Sequence, residues 1–361
     1  GSGPYTLGLN LANTNTWTGA QTFTANTYFP NGIWNTSGNV GLGTTSPTQQ
    51  LDMTGNIKLV NTTYADPNGV IYKDSLPFLH NFNYGDNGTV TTLGYNTFLG
   101  ANSGNLTMGI GASSASHASF NTGIGVNSLQ SNTIGFENTA LGTYSLRNNT
   151  TGYRNTALGN ASLYSNTTGN ENTAIGYVSL TSNTEGSNNT AIGRASLYLN
   201  TSGSANNSIG SASLYSNTTG SYNLALGNGS LNANTTGNHN IALGHHAGRL
   251  LADDSTGNTS PDYSIYIGAA TKSLANNSQN EIVIGYNTIG NGSNSVTLGN
   301  DNIAKTILKG NVGIGTTNPT KKLDVIGDGS FSTNLSVGGT LSLPQGAANG
   351  YILTSDASGN S

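Results

Sequence analysis

An all-β fold, a parallel β-roll or β-solenoid built from seventeen-residue coils, is what the sequence predicts, and three observations predict it. The first is a phrase that repeats. From Asn138 the chain reads NTALGTYSLRNNTTGYR and then NTALGNASLYSNTTGNE, and the unit opens at Asn121, Asn138, Asn155, Asn172, Asn189, Asn206, Asn223 and Asn240 without an insertion. A fixed period of this kind marks one supersecondary unit stacked on copies of itself. The second is a set of unbroken columns. Gly125, Gly142, Gly159, Gly176, Gly193 and so on to Gly244 close the first phrase. Leu129, Leu146, Leu163, Leu180, Leu197 and so on to Leu231 occupy the middle, and Gly135 through Gly237 close the second phrase. The third is that the apolar phrases A-[IL] and S-L are too short for a helix, so the unit reads as strand, turn, strand, turn.

Each part of the chain can be placed against this core. Residues 1–56 form an N-terminal β module, in which Gly38 to Gly55 reads GNVGLGTTSPTQQLDMTG. Residues 57–100 are a transition in which Phe78, His80, Phe82 and Tyr84 lie close together, as expected of a segment packing onto the first coil. Residues 101–300 are the roll. Its glycine columns mark corners where positive φ or close backbone approach excludes a Cβ. The Asn138 column is placed to form an amide ladder, each side chain bonding the copies above and below. After the eighth unit the stretch LLADDSTGNTSPDY reads as a loop leaving the roll, and IYIG, IVIG and VTLG mark its better-filled end. Residues 301–361 are a second β module, since Gly310 to Gly327 reads GNVGIGTTNPTKKLDVIG, a copy of the first.

Composition excludes several classes. Charged residues are 7% of 361, against roughly 25% in ordinary domains, and the formal charge is -4. No basic stripe exists to neutralise phosphates, which argues against nucleic acid. No run approaches the roughly 18 apolar residues of a membrane helix. The absence of cysteine removes disulfides and thiolate metal sites. Disorder is argued against by the strict register, and the opening GSGP reads as an expression remnant or the cut edge of a longer protein.

Magnitudes bear on assembly. A unit has two large aliphatics, such as Leu141 and Leu146. At about 1.5 to 3 kcal/mol each they offset only a few residues of backbone ordering at about 1 to 2 kcal/mol. This predicts an intertwined homotrimer, with the Ala140-type positions admitting a neighbouring backbone and the Thr column covered by a partner chain.

Chemistry is sparse. The four glutamates, Glu137, Glu171, Glu185 and Glu281, share no catalytic spacing. Asp253 and Asp254 near His245 and His246 are the densest ionisable cluster, suited either to a metal or acid–base role or to a polar loop, and the loop reading is preferred. The G-x-G phrases lack the following helix that a phosphate site needs. No catalytic, cofactor-binding or metal residue is assigned, and no cofactor is expected. Tyr144, Tyr164, Tyr198 and Tyr215 sit at variable, outward positions, either as surface-binding aromatics or as an ordinary ladder of rings. Asn-x-Thr sequons follow from the repeat and say little about glycosylation. The Thr139, Thr156, Thr173 and Thr190 row raises ice binding as a minor alternative.

The N-T-A-[IL]-G phrase followed by S-L resembles the head repeats of YadA-like trimeric autotransporter adhesins, over Asn121 to about Gly299. The unit here is longer, with an added N-T-T-G turn, and the coiled-coil stalk and membrane anchor of that family have no counterpart in the sequence. The flanks, including TNTWTGAQTFTANTYF and FSTNLSVGGTLSL, resemble phage tail-fibre shaft modules, and GYILTSDASGNS resembles the segment before a C-terminal assembly domain. The resemblance implies a non-enzymatic, extracellular fibre and adhesin segment, on a cell surface or virion tail, that gives reach and multivalent attachment to a glycan or protein receptor. It implies no membrane insertion by this segment. The alternatives are a tailspike that binds or depolymerises polysaccharide, and a head-to-tail extracellular filament.

Overall fold

The structure is a computed structural model describing residues 69–86, 88–327 and 329–330, with short pieces between 40 and 65. The stretches 14–29, 331–343 and 350–361, read above as shaft-like, lie outside the described residues. The chain divides into two units, Gly1–Asn300 and Asp301–Ser361.

Among the described residues there is no helix. In the first unit, β1 (Val40–Leu42) and β2 (Leu51–Met53) form a parallel pair. The main sheet begins with β3 (Ile71–Lys73), β4 (Leu76–His80) and β5 (Thr97–Leu99). It continues with β6 (Thr122–Ile124), β7 (Thr139–Leu141), β8 (Thr156–Leu158), β9 (Thr173–Ile175) and β10 (Thr190–Ile192). It ends with β11 (Asn207–Ile209), β12 (Leu224–Leu226), β13 (Ile241–Leu243), β14 (Ile265–Ile267), β15 (Glu281–Ile284) and β16 (Ser295–Leu298). All fourteen strands lie in chain order, and β5 to β16 are parallel. From Thr122 to Ile241 the register advances in seven steps of seventeen residues. The coil before them takes 25 residues and the coil after them 24, so each insertion is extruded and the columns resume in phase. In the second unit, β17 (Val312–Ile314) pairs in parallel with β18 (Leu323–Val325). The copied phrases therefore make the same element, with Val40 opposite Leu51 and Val312 opposite Leu323.

Each coil contains one strand rather than the two that the sequence predicts. The S-L phrase is a turn, and its leucines sit at φ between 46° and 51°. A seventeen-residue coil needs most of its length for corners, leaving one three-residue segment straight. The left-handed conformation costs each leucine about 1 to 2 kcal/mol. Complete burial of its side chain returns about 1.5 to 3 kcal/mol.

The strand residues alternate as a pleated strand must. Thr139 and Leu141 face out, whereas Ala140 is fully buried against the chain's own leucines. This corrects two expectations. The alanine column does not receive a neighbouring backbone, and Leu141, counted above as core, is 43% exposed. The Thr column faces outward on the same side of the sheet as Leu141.

The apolar core is thin, and buried amides complete it. Asn138 donates through Nδ2 to Asn121 Oδ1 (3.1 Å) and Gly152 O (2.9 Å), a pattern carried up the column to Asn240. A second ladder, not anticipated, runs from Asn132 to Asn234, with Asn149 donating to Asn132 Oδ1 at 2.8 Å. Buried polar groups are costly only when unpaired, and these are paired. Glycine is required at Gly142, where φ is 137° and a Cβ would lie 2.5 Å from Gly159 O.

The two ends of the roll are closed by the same exchange of volumes. Phe98 occupies the alanine column at the N-terminal end, and a Cβ on Gly104, which stands in the leucine column, would meet its ring at 2.6 Å. Tyr266 occupies the alanine column at the other end, and a Cβ on Gly248 would meet its ring at 2.6 Å. The transition segment packs onto the first coil as expected, with β4 antiparallel to β5 and the His80 ring 4.9 Å from Phe98. It therefore joins the same sheet as the roll rather than preceding it at residue 101.

Candidate interaction surfaces

Three surfaces follow from the coil. The flat outer face of the sheet is the first. Alternation along each strand brings the residues at Leu99, Ile124, Leu141, Leu158, Ile175 and their successors into one row. Beside it runs a row of Thr97, Thr122, Thr139, Thr156, Thr173 and Thr190, replaced further on by Leu224 and Ile241. From β5 to β16 the one ionisable strand residue is Glu281, which is fully buried, so the outer face of the sheet carries no charge. Twelve parallel rungs at about 4.8 Å extend this neutral surface over roughly 50 Å. Leu158 and Leu226 are 39% and 45% exposed, so the aliphatic row is a continuous apolar patch.

The second surface carries the tyrosines singled out from the sequence. Leu129, Leu146, Leu163, Leu180 and Leu197 are fully buried, which sends the intervening variable side chains outward. Tyr144 and Tyr164 meet edge-on with centroids 6.2 Å apart, and Tyr198 and Tyr215 stack at 5.0 Å. Arg147 lies between the first two, 5.6 Å from each ring, and donates to Tyr164 Oη at 2.6 Å. The structure thus brings the four together as two pairs, with Thr181 between them in the column.

The third surface was not recognised from sequence. Tyr222, His239 and Tyr263 stack at 4.8 and 4.9 Å with nearly parallel planes, and further back in the same column Arg154 bridges Glu137 and Glu171. The seventeen- and twenty-four-residue spacings contain the signal, which appears only when the coils are aligned with the insertion removed.

The ionisable cluster is the loop that the sequence suggests. Leu250 bridges Gly257, and Leu251 N donates to Thr256 O, so the insertion folds back on itself. Asp253 accepts from the Thr256 hydroxyl and from the backbone of Thr256 and Ser255, which holds its carboxyl at about 2. Asp254 pairs with the buried Lys272 at 2.5 Å. The His245 and His246 rings stack at 3.8 Å, and burial, with the neighbouring His245 and Arg249, lowers the His246 pKa. Among the described residues no three His, Asp or Glu side chains converge to hold a metal ion.

The chain matches no family model, no curated protein and no solved structure. Function must therefore be argued from these surfaces. No helix among the described residues is long and apolar enough to cross a membrane. Glu281 replaces asparagine in the first ladder and is fully buried, yet Ser273 Oγ, Leu274 N and Gly292 N all donate to it. The amide ladder itself ends at Asn240, with Ser264 on the next rung and the enclosed Glu281 on the one after.

Proposed function

We propose that the protein is a non-enzymatic, extracellular fibre and adhesin segment, displayed on a cell surface or virion tail, whose rigid roll holds repeated weak contacts in a row. Multivalency converts such contacts into firm attachment without any single strong site. The observation that carries this reading is the neutral outer face, regular over twelve rungs, beside columns of exposed aromatic rings. The repeat phrase and its resemblance to trimeric adhesin heads point the same way.

Association of copies, as a homotrimer, belongs to this reading on new grounds. A partner touching every rung must share the rung spacing, because a mismatched pitch loses register within a few strands. Another copy of this chain has that pitch by construction. Packing three such faces around a common axis would cover the aliphatic row, which is continuous, uncharged and apolar. The test is the solution mass of the full chain and of a Leu141→Lys, Leu158→Lys variant. The expected result is a threefold mass for the parent and 36.8 kDa for the variant. A parent found only at 36.8 kDa overturns association through this face.

A second reading is favoured by the exposed Thr139 and Thr156 on that face. Ice binding also exploits a flat, regular row. Thermal hysteresis in the parent, lost on Thr156→Lys, would select it, and its absence would dismiss it.

A further inference from the structure

One corner of the roll carries a column that runs Arg147, Tyr164, Thr181, Tyr198, Tyr215 on successive coils. Where adjacent coils both carry rings, the rings stack, as Tyr198 and Tyr215 do at 5.0 Å and 8°. Tyr215 therefore covers one face of Tyr198. Arg147 covers one side of Tyr164, with its guanidinium carbon 5.6 Å from the ring centroid. Tyr164 and Tyr198 stand two rungs apart in the column, with Thr181 on the rung between them. The Thr181 hydroxyl donates to Ala161 O of the preceding coil at 2.9 Å, so this rung of the column presents a methyl group where its neighbours present a ring. Two rungs put the flanking rings about 10 Å apart. A third ring at the midpoint would keep the 4.8 to 5.0 Å spacing that stacked rings on neighbouring coils of this protein already show.

We infer that the Thr181 notch is a subsite for one neutral pyranose ring, held face-on between Tyr164 and Tyr198. A planar ring is thinner than a rung and fills the gap only by sliding sideways. A pyranose chair carries axial hydrogens on both faces and is thick enough to touch both tyrosines at once. Its C–H faces are electropositive and meet the negative faces of the rings, while its hydroxyls remain at the rim in water. The two rungs that bound the notch and the Thr181 rung itself carry no charged side chain in this column, and Arg147, on the far side of Tyr164, directs its guanidinium to Tyr164 Oη and to Gln130 Oε1 at 3.0 Å. The inference rests on the attachment reading for its purpose, since a single weak subsite per chain acts only when copies are displayed together.

The test is saturation-transfer NMR on the full chain with methyl β-D-glucopyranoside and methyl β-D-galactopyranoside, and p-cresol as the planar competitor. The expected result is transfer strongest to axial ring hydrogens, reduced at least about tenfold in Thr181→Tyr, the loss of roughly one ring-stacking contact. That variant places in the notch the same ring its column neighbours carry, so its thermal midpoint should equal or exceed the parent's. A Tyr164→Ala, Tyr198→Ala variant should lose the signal as well. No transfer to either glycoside, or equal transfer in Thr181→Tyr, overturns the inference, and preferential binding of p-cresol reassigns the notch to an aromatic side chain. The mass of the same sample separates the two proposals. A threefold assembly without glycoside signal overturns the notch alone, and a monomer that binds glycoside overturns the trimer alone.

Discussion

Asn166 shows how a single amide ties three coils together. Its Nδ2 donates to Asn149 Oδ1 at 2.8 Å and Gly169 O at 2.9 Å, and its Oδ1 accepts from Asn183 at 2.8 Å. Asn166→Ala strands a buried donor and acceptor on either side, each worth about 1 to 3 kcal/mol. A destabilisation of at least about 3 kcal/mol in urea melts is expected, and a loss below about 1 kcal/mol would refute the ladder's structural role. The inside and outside of the strand differ in the same terms. Leu163→Ala should cost about 2 to 5 kcal/mol, whereas Leu158→Ala, on the outer face, should stay within about 1 kcal/mol in an isolated chain. Equal losses in the two variants would contradict the orientation of the coil. At this scale the glycine columns, the buried leucines and the first amide ladder were legible, because each is an invariant letter at a fixed spacing. The second ladder was not, since Asn149 sits in an N-T-T-G phrase that reads equally well as an exposed turn.

Elements are positioned at the ends of the roll by groups that respond to pH and to volume. His80 accepts from Phe82 N at Nδ1 and so donates from Nε2 to Ser103 O, at 2.8 Å. Burial lowers its pKa, with the bond to Ser103 opposing in part. The sign follows from linkage. A histidine whose folded pKa is depressed contributes stability above its unfolded value near 6.5, and this is lost as pH falls through the folded value. Corrected for the intrinsic pH dependence of exchange, the protection of the β4 and β5 amides should therefore fall on acidification below about pH 6.5, while that of β9 and β10 is unchanged. Uniform behaviour along the sheet would count against a local cap. The aromatic plugs permit a sharper experiment. Tyr266→Ala and Gly248→Leu should each destabilise, the second because a Cβ there meets the Tyr266 ring at 2.6 Å. Together they restore the Ala and Leu columns of the middle coils, so the double variant should be more stable than the sum of the singles by about 1 to 3 kcal/mol. Additive losses would show that the exchange of volumes is coincidental. The better-filled end was legible in IYIG, but the exchange of volumes was not, because it requires knowing that Gly104 faces Phe98 and that Gly248 faces Tyr266, 18 residues away. The S-L phrase was misread as a strand for a related reason, since burial outweighed the backbone preference of leucine.

The roll is a stack whose two amide ladders are paired within one chain and whose exterior presents repeated rows. The period makes the stack legible in the sequence, and the loop at 250–263 is legible as the place where the period breaks. What the period could not supply was direction, because a two-residue phrase such as A-L does not say which of its side chains points inward. Thinness of the core suggested dependence on neighbouring chains through the alanine column, and the amide ladders remove that particular need. The case for association now lies on the outer face instead. Beneath both proposals is the claim that each seventeen-residue phrase is one interchangeable rung. The most direct measurement compares the far-UV thermal melts of two deletions, one lacking residues 155–171 and the other lacking 155–170. Removing one whole rung should leave a cooperative transition near the parent's, since β7 can pair with β9 in the same register. Removing one residue fewer shifts every later column and turns the alanines outward, so that transition should be lost or greatly lowered. Indistinguishable melts for the two deletions would contradict the account.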